Sequence, residues 1–189
     1  MDNVMKAKVN KISIEIVRGD IRSLDVDGLV MVTDPGLSVD DDLVAVAGTE
    51  IADELALIGW SEVGTAVITK AGQMDAVKNI IHAVSPRWGE DSARGKLENV
   101  TWACVNVAEE NELTSLAIPA ISVGTLGYPV EASAKITIAR VIDFTFEKTK
   151  HLRHILFYSN NETTLSVFRD EFKQQIEDLR ETGEGKVRV

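Results

Sequence analysis

The chain has 189 residues, with 20 Lys and Arg against 30 Asp and Glu, for a formal net charge of −10. Hydrophobic residues make up 44% and charged residues 26%, which excludes a disordered or collagen-like chain and fits a globular fold whose core needs no disulfide or metal. The acidic balance argues against nonspecific nucleic-acid binding, and no apolar run approaches the ~20 residues of a membrane span. The single cysteine, Cys104, has no internal disulfide partner, and the opening Met1–Lys6 lacks a signal peptide's apolar segment; both predict a cytoplasmic protein.

Strand and helix patterns alternate along the chain. Over 9–17, Ile12, Ile14 and Ile16 recur at period two and predict a strand. Gly28–Val32 reads as a short buried strand. From Val39 to Leu57 the period becomes helical, with Leu43, Ala47, Ile51, Leu55 and Ile58 on one stripe. Ser38 is placed to cap that helix, and Asp40, Asp41 and Asp42 fill its first turn, where the helix dipole favours anions. Ala66–Thr69 and Asn79–Val84 read as strands, and 96–111 as a helix with Leu97, Val100, Cys104 and Ala108 on its stripe. A strand at Leu116–Ile121 leads through a glycine loop to a helix over 129–149, with Pro129 in its first turn. A strand at His154–Tyr158 precedes a last helix, Glu162–Arg180, whose stripe is Leu165, Phe168, Phe172, Ile176 and Leu179.

This alternation predicts an α/β fold, with a mixed, mostly parallel central sheet and helices on both faces. No repeat or long linker divides the chain. Residues 1–180 are expected to form one domain and 181–189 a loose polar tail. Ligands of such sheets bind at the C-terminal strand ends. The junction from Ile121 to Pro129 meets the needs of a phosphate cradle, because glycines let backbone N–H groups approach an anion ahead of a helix start. A tight turn that uses glycine only for its dihedrals is the competing reading. The junction matches neither the Walker nor the dinucleotide pattern.

Three blocks, in order, carry a family resemblance. They are Ile14-Glu15-Ile16-Val17-Arg18-Gly19-Asp20-Ile21, then Gly64–Thr69 followed by Asn79–Trp88, then Ile118–Gly124 followed by Gly127-Tyr128-Pro129. Together they resemble the macro domain family over roughly residues 12–172. The resemblance implies a three-layer α/β/α sandwich with a cleft that binds ADP-ribose or a related nucleotide. It also implies that Asp20 accepts the adenine amino group, with the Ile21 backbone beside it. A carboxylate, which only accepts, suits that contact. The loop of Ser122, Val123, Gly124, Thr125, Leu126, Gly127 and Tyr128 would wrap the diphosphate and distal ribose. Leu126 stands where the family often has an aromatic residue, and Asn160 lies near the closure of the adenine pocket.

The departures from the family pattern matter as much. Where the family's strand ends Asn-Ala-Ala-Asn before a glycine-rich loop, this chain reads Met31-Val32-Thr33-Asp34 and then Pro35-Gly36-Leu37-Ser38, about four residues shorter. Asp34 holds the place of the asparagine that orients the distal ribose in hydrolytic members. It cannot donate the amide's hydrogen bond, yet it can accept a proton as a general base, and it is also an ordinary turn-former before Pro-Gly. Asp41 and Asp42 join an aspartate that the family often has. A carboxylate ~7 Å from one phosphate charge, at an effective dielectric near 40, repels it by about 1 kcal/mol. The pair therefore weakens the diphosphate site by roughly 2–4 kcal/mol if both face it.

The remaining candidates read as structural. His82 falls inside a strand, and Cys104 on an apolar helix stripe. His151 and His154 lack a third metal ligand. Trp60, Trp88 and Trp102 are scattered, and Glu109–Glu112 reads as a solvated helix end. Tyr158 reads as core rather than as a stacking residue. The expected function is ADP-ribose or related nucleotide binding with weak or no catalysis, needing no cofactor or metal. The alternatives are hydrolysis of ADP-ribose 1″-phosphate or ADP-ribosyl groups, and a degenerate domain acting through protein contacts. The acidic last helix offers a contact surface for a homo-oligomer or another protein.

Overall fold

The computed structural model describes residues 2–189. Its strands are β1 (Asp2–Val9), β2 (Ile12–Arg18), β3 (Val26–Thr33), β4 (Ala66–Lys70), β5 (Val77–Val84), β6 (Ser115–Ile118), β7 (His154–Ser159) and β8 (Val187–Arg188). Its helices are α1 (Asp41–Ala47), α2 (Glu50–Ile58), α3 (Ala93–Glu110), α4 (Val130–Phe144) and α5 (Glu162–Thr182). The strands form one eight-stranded sheet in the order β4-β5-β3-β6-β7-β2-β1-β8. The central strands β5, β3, β6, β7 and β2 are parallel, and the outer strands β4 on one side and β1 and β8 on the other run antiparallel, with β4 and β8 at the edges. The mixed, mostly parallel sheet expected from the alternation is the one observed.

Side chains alternate across the sheet at period two, which splits the core in two. Ile12, Ile14 and Ile16 of β2, with Val30 of β3 and Ile81 of β5, pack beneath α3, α4 and α5. Leu29 and Ile80, one position away, pack with Leu43, Ala47, Ile51 and Leu55 of α1 and α2. The three β2 isoleucines are fully buried, and each contributes about 1.5–3 kcal/mol of apolar burial.

The sequence expectations need correction at five places. The strand over 9–17 is half of a hairpin: Asn10 takes φ 55, a conformation asparagine tolerates, and reverses the chain between β1 and β2. The helix expected over 39–57 is two helices, parted at Gly48 (φ 82). Its cap is Asp40, whose carboxylate accepts the Leu43 N–H at 2.7 Å; Ser38 instead gives its N–H to Asp34 and its carbonyl to the Thr33 hydroxyl. Pro129 is the residue before the first turn of α4, and that helix ends at Phe144. The polar end of the chain is not loose throughout: α5 reaches Thr182, and β8 pairs with Lys8 and Val9 while Asn10 and Lys186 exchange hydrogen bonds.

Glu109 also does more than face solvent. Its carboxylate accepts the backbone N–H groups of Lys150, His151 and Leu152 and so fixes the entry into β7. No helix among the described residues is long and apolar enough to cross a membrane.

Candidate functional site

The C-terminal ends of the five parallel strands face one way, and a cleft runs across them. One compartment, about 320 Å³, is lined by Asp20, Ile21, Met31, Asp42, Tyr158 and Asn160 among others. The second, about 610 Å³, is lined by Thr33, Asp34, Ser85, Arg87, Glu90, Val123, Thr125 and Leu126 among others. Asp40 lines both and joins them. Most of these residues end or follow β2, β3, β5, β6 and β7, as the position of ligand sites in parallel sheets requires.

Asp20 opens a tight turn. Its Oδ1 accepts the N–H groups of Arg22 (2.9 Å) and Ser23 (3.2 Å), and the Ser23 hydroxyl accepts the Asp20 N–H. The turn leaves Oδ2 without a donor from this chain among the described residues. Asn160 follows β7 and meets Asp20 because Gly19 bonds back to Ser159 at the ends of paired β2 and β7. Tyr158 serves core and cleft together: its ring packs on the α1–α2 side of the sheet and lines the smaller compartment, and burial raises its phenol pKa above the usual value.

The glycine loop is pinned from two sides. The Ser122 hydroxyl donates to the Pro86 carbonyl at 2.7 Å, and the Trp88 N–H donates to the Leu126 carbonyl at 2.9 Å. Ser122 (φ 65), Gly124 (φ 88) and Gly127 (φ 74) all take left-handed backbone. Within this frame, the N–H groups of Gly124, Thr125 and Leu126 find no acceptor in the protein among the described residues. Three successive donors are thus left for a ligand anion.

The predicted site residues thus fall into two groups. Asp20, Ile21 and Asn160 come together at one end of the cleft, and Asp34, Val123, Thr125 and Leu126 at the other. The side chains of Ser122 and Tyr128 line neither compartment. Ser122 is spent on Pro86, and Tyr128 is buried with its ring edge-on to Trp88, centroids 5.0 Å apart. Their contribution, with Gly127, is loop shape, while Gly124 adds a free N–H.

Asp34 is held in a turn: Ser38 hydrogen bonds keep its carboxyl below the usual carboxylate range. Of the acidic trio, Asp40 and Asp42 line the cleft and Asp41 does not. Cys104 is fully buried, with its thiol pushed up to about 12 by burial, and His82 is buried against Thr69. No group of three or more His, Cys, Asp or Glu among the described residues is arranged to hold a metal. Residue-by-residue reading missed Arg87 and Glu90. Their signal was position, since they follow β5 at the strand end where ligands gather.

The macro domain family model matches residues 28–137. A macro domain-containing protein of Listeria monocytogenes is 35% identical over 82% of this chain and 94% of its own. A Salmonella typhimurium protein named O-acetyl-ADP-ribose deacetylase is 37% identical over 69% of this chain and 78% of its own. Among solved structures, the Oceanobacillus iheyensis macrodomain with ADP is similar with a TM-score of 0.82 at 28% identity, covering 92% of this chain and 97% of that one. A single-site variant of that macrodomain with ADPR matches with a TM-score of 0.82 at 26% identity, covering 92% and 98%. By sequence and by fold, this chain belongs to the macro domain family.

Proposed function

We propose that this chain binds ADP-ribose or a closely related nucleotide in the cleft, with little or no hydrolysis. The observation that carries the reading is the continuity of the cleft. A base-sized compartment with the free Oδ2 of Asp20 leads past Asp40 to the unbonded N–H groups of Gly124, Thr125 and Leu126. That order matches adenine, diphosphate and distal ribose. Relatives solved with ADP and ADPR support the same ligand class.

Calorimetry with ADP-ribose tests this. Saturable heat below about 1 mM, some 4 kcal/mol of binding, is expected; no heat at that concentration abandons the reading in favour of a domain acting through protein contacts. Asp20→Ala is expected to weaken binding by about 1.5 kcal/mol, the loss of one hydrogen bond to a charged acceptor. An unchanged affinity means that the base sits elsewhere.

The acidic wall weakens the site less than the sequence alone implied. Asp40 spends Oδ1 on capping α1, and Asp41 lies outside the cleft, so Asp42 is the added charge that matters. Asp42→Asn is expected to tighten ADP-ribose binding by about fivefold, from roughly 1 kcal/mol of relieved repulsion. Asp41→Asn serves as the control with a smaller change. Equal effects at both positions contradict the placement of Asp42.

The second reading is hydrolysis, favoured by the relatives named O-acetyl-ADP-ribose deacetylases and by Asp34 in the larger compartment. Against it, Ser38 holds the Asp34 carboxyl below the usual carboxylate range and so makes it a weaker base, and it cannot make an asparagine's donor contact to the ribose. Rapid acetate release from O-acetyl-ADP-ribose that disappears in Asp34→Ala establishes this reading instead.

A further inference from the structure

We infer that the outer face of α1 and α2 is a docking surface for a Lys- and Arg-rich polypeptide segment that carries apolar side chains. Two independent observations meet there. The first is apolar exposure. Leu57 is 90% exposed, Trp60 64% and Ile58 44%; of the six large hydrophobic residues exposed among the described residues, these three lie side by side. α2 buries Ile51 and Leu55 against the sheet. Its opposite side, where a solvated helix carries long polar side chains, presents Ala52, Ala56 and Leu57 instead. Exposed apolar residues scattered singly need no partner, whereas a contiguous set marks a contact surface.

The second observation is charge. Between Arg22 and Lys70 the chain has no Lys, Arg or His, but ten Asp or Glu. That stretch therefore holds the whole formal net charge of −10, and the rest of the chain balances to zero. Among the described residues, Asp27 is the one member of the ten in a salt bridge, with Lys78. Exposed Glu50 and Asp53 share α2 with Leu57, and Asp53 lies one turn from it on the same side. Exposed Asp41 sits on α1, and exposed Glu62 follows Trp60 by two residues. Apolar anchors inside a rim of unpaired carboxylates have the anatomy of an interface, and the rim sets the sign of the partner.

The occupant follows from that sign. Nucleic acids and anionic lipid surfaces bring phosphates, which these carboxylates repel. A second copy brings the same acidic face and no surplus of positive charge elsewhere. No acidic group among the described residues is arranged to hold a metal. A polypeptide segment with Lys or Arg beside apolar side chains matches both the anchors and the rim. The Ser61 N–H donates to the Pro35 carbonyl at 3.0 Å, so the surface adjoins the loop at the wall of the larger compartment. Leu57, Ile58 and Trp60 line neither compartment, which keeps docking separable from nucleotide binding.

The test is fluorescence anisotropy of the full chain with a labelled synthetic helical peptide of Leu and Lys, with Leu at every third or fourth position. Saturable one-to-one binding is expected in about 50 mM salt, weakening as salt is raised to about 0.5 M. Leu57→Ser/Trp60→Ser is expected to weaken it about tenfold or more, and Asp53→Asn/Glu62→Gln about fivefold. Phe146→Ser, exposed beside Gly185 near the β8 edge, leaves it unchanged, and a peptide with Glu in place of Lys does not bind. All these variants change exposed side chains, and equal urea midpoints confirm that they fold alike. No binding of the Leu-Lys peptide, or binding that Leu57→Ser/Trp60→Ser leaves intact, overturns the inference. So does sedimentation of the free chain as a dimer that Leu57→Ser/Trp60→Ser dissociates, which assigns the face to a second copy. None of these outcomes depends on whether the cleft takes ADP-ribose.

Discussion

Gly72→Ala is expected to destabilise the fold by about 3 kcal/mol or more, measured by denaturant unfolding. Gly72 has φ +56, and a Cβ there would lie 2.0 Å from the carbonyl oxygen of Ala47. That oxygen is backbone and also accepts the Gln73 N–H at 2.8 Å, so it cannot swing aside without losing a hydrogen bond. The left-handed conformation adds roughly 1 kcal/mol for any residue with a Cβ. The same contact explains why the chain breaks between α1 and α2. The turn between β4 and β5 docks its bare glycine against the end of α1, and the helix stops there. Gly95→Ala is the control: Gly95 lies inside α3 with open space around it, and alanine there should stabilise by about 0.5–1 kcal/mol. A fully stable Gly72→Ala would mean that the β4–β5 turn does not lock α1.

Acid is expected to remove about 2 kcal/mol of stability between pH 7.5 and pH 5, and His82 is the cause. His82 sits on β5 between Met31 of β3 and Val67 of β4, with its Nε2 2.9 Å from the Thr69 hydroxyl. Thr69 donates to the Lys70 carbonyl, which leaves its oxygen to accept from Nε2–H and assigns the neutral tautomer by the network. Burial pushes the His82 pKa down from 6.5 to about 4. The folded state therefore resists the proton that the unfolded state takes. The stabilisation is complete above the unfolded value of 6.5 and is lost as pH falls toward about 4. His82→Gln, which keeps a donor for Thr69, should flatten this window. Urea midpoints that fall equally in both proteins would assign the acid sensitivity to other groups.

Much of the fold was readable because burial follows periodicity. Leu43, Ala47, Ile51 and Leu55 are all buried as their spacing required, even though they belong to two helices. The break at Gly48 preserves the four-residue spacing, so the pattern alone does not reveal it. Strands β1 and β8 were not readable. β8 is a two-residue edge strand, and β1 alternates exposed Lys6 and Lys8 with buried Ala7 and Val9 only over its last residues, a weak signal. That Asp20 and Ile21 sit at a strand end lining a compartment was readable from the block that carries them. The acidic wall was readable as composition but not as direction. Moving the cap from Ser38 to Asp40 decides which carboxylates turn to the cleft, and that takes coordinates to see. Arg87 stayed hidden because one exposed arginine carries no periodic signal.

The central proposal is a cleft that takes adenine at Asp20 and a diphosphate at the Gly124–Leu126 loop, beside a wall carrying Asp40 and Asp42. A crystal structure of the chain with ADP-ribose tests this most directly. The account predicts the adenine amino group on Asp20 Oδ2 and the diphosphate on the N–H groups of Gly124, Thr125 and Leu126, turned away from Asp42. A diphosphate seated against Asp42, or a nucleotide bound outside this cleft, contradicts it.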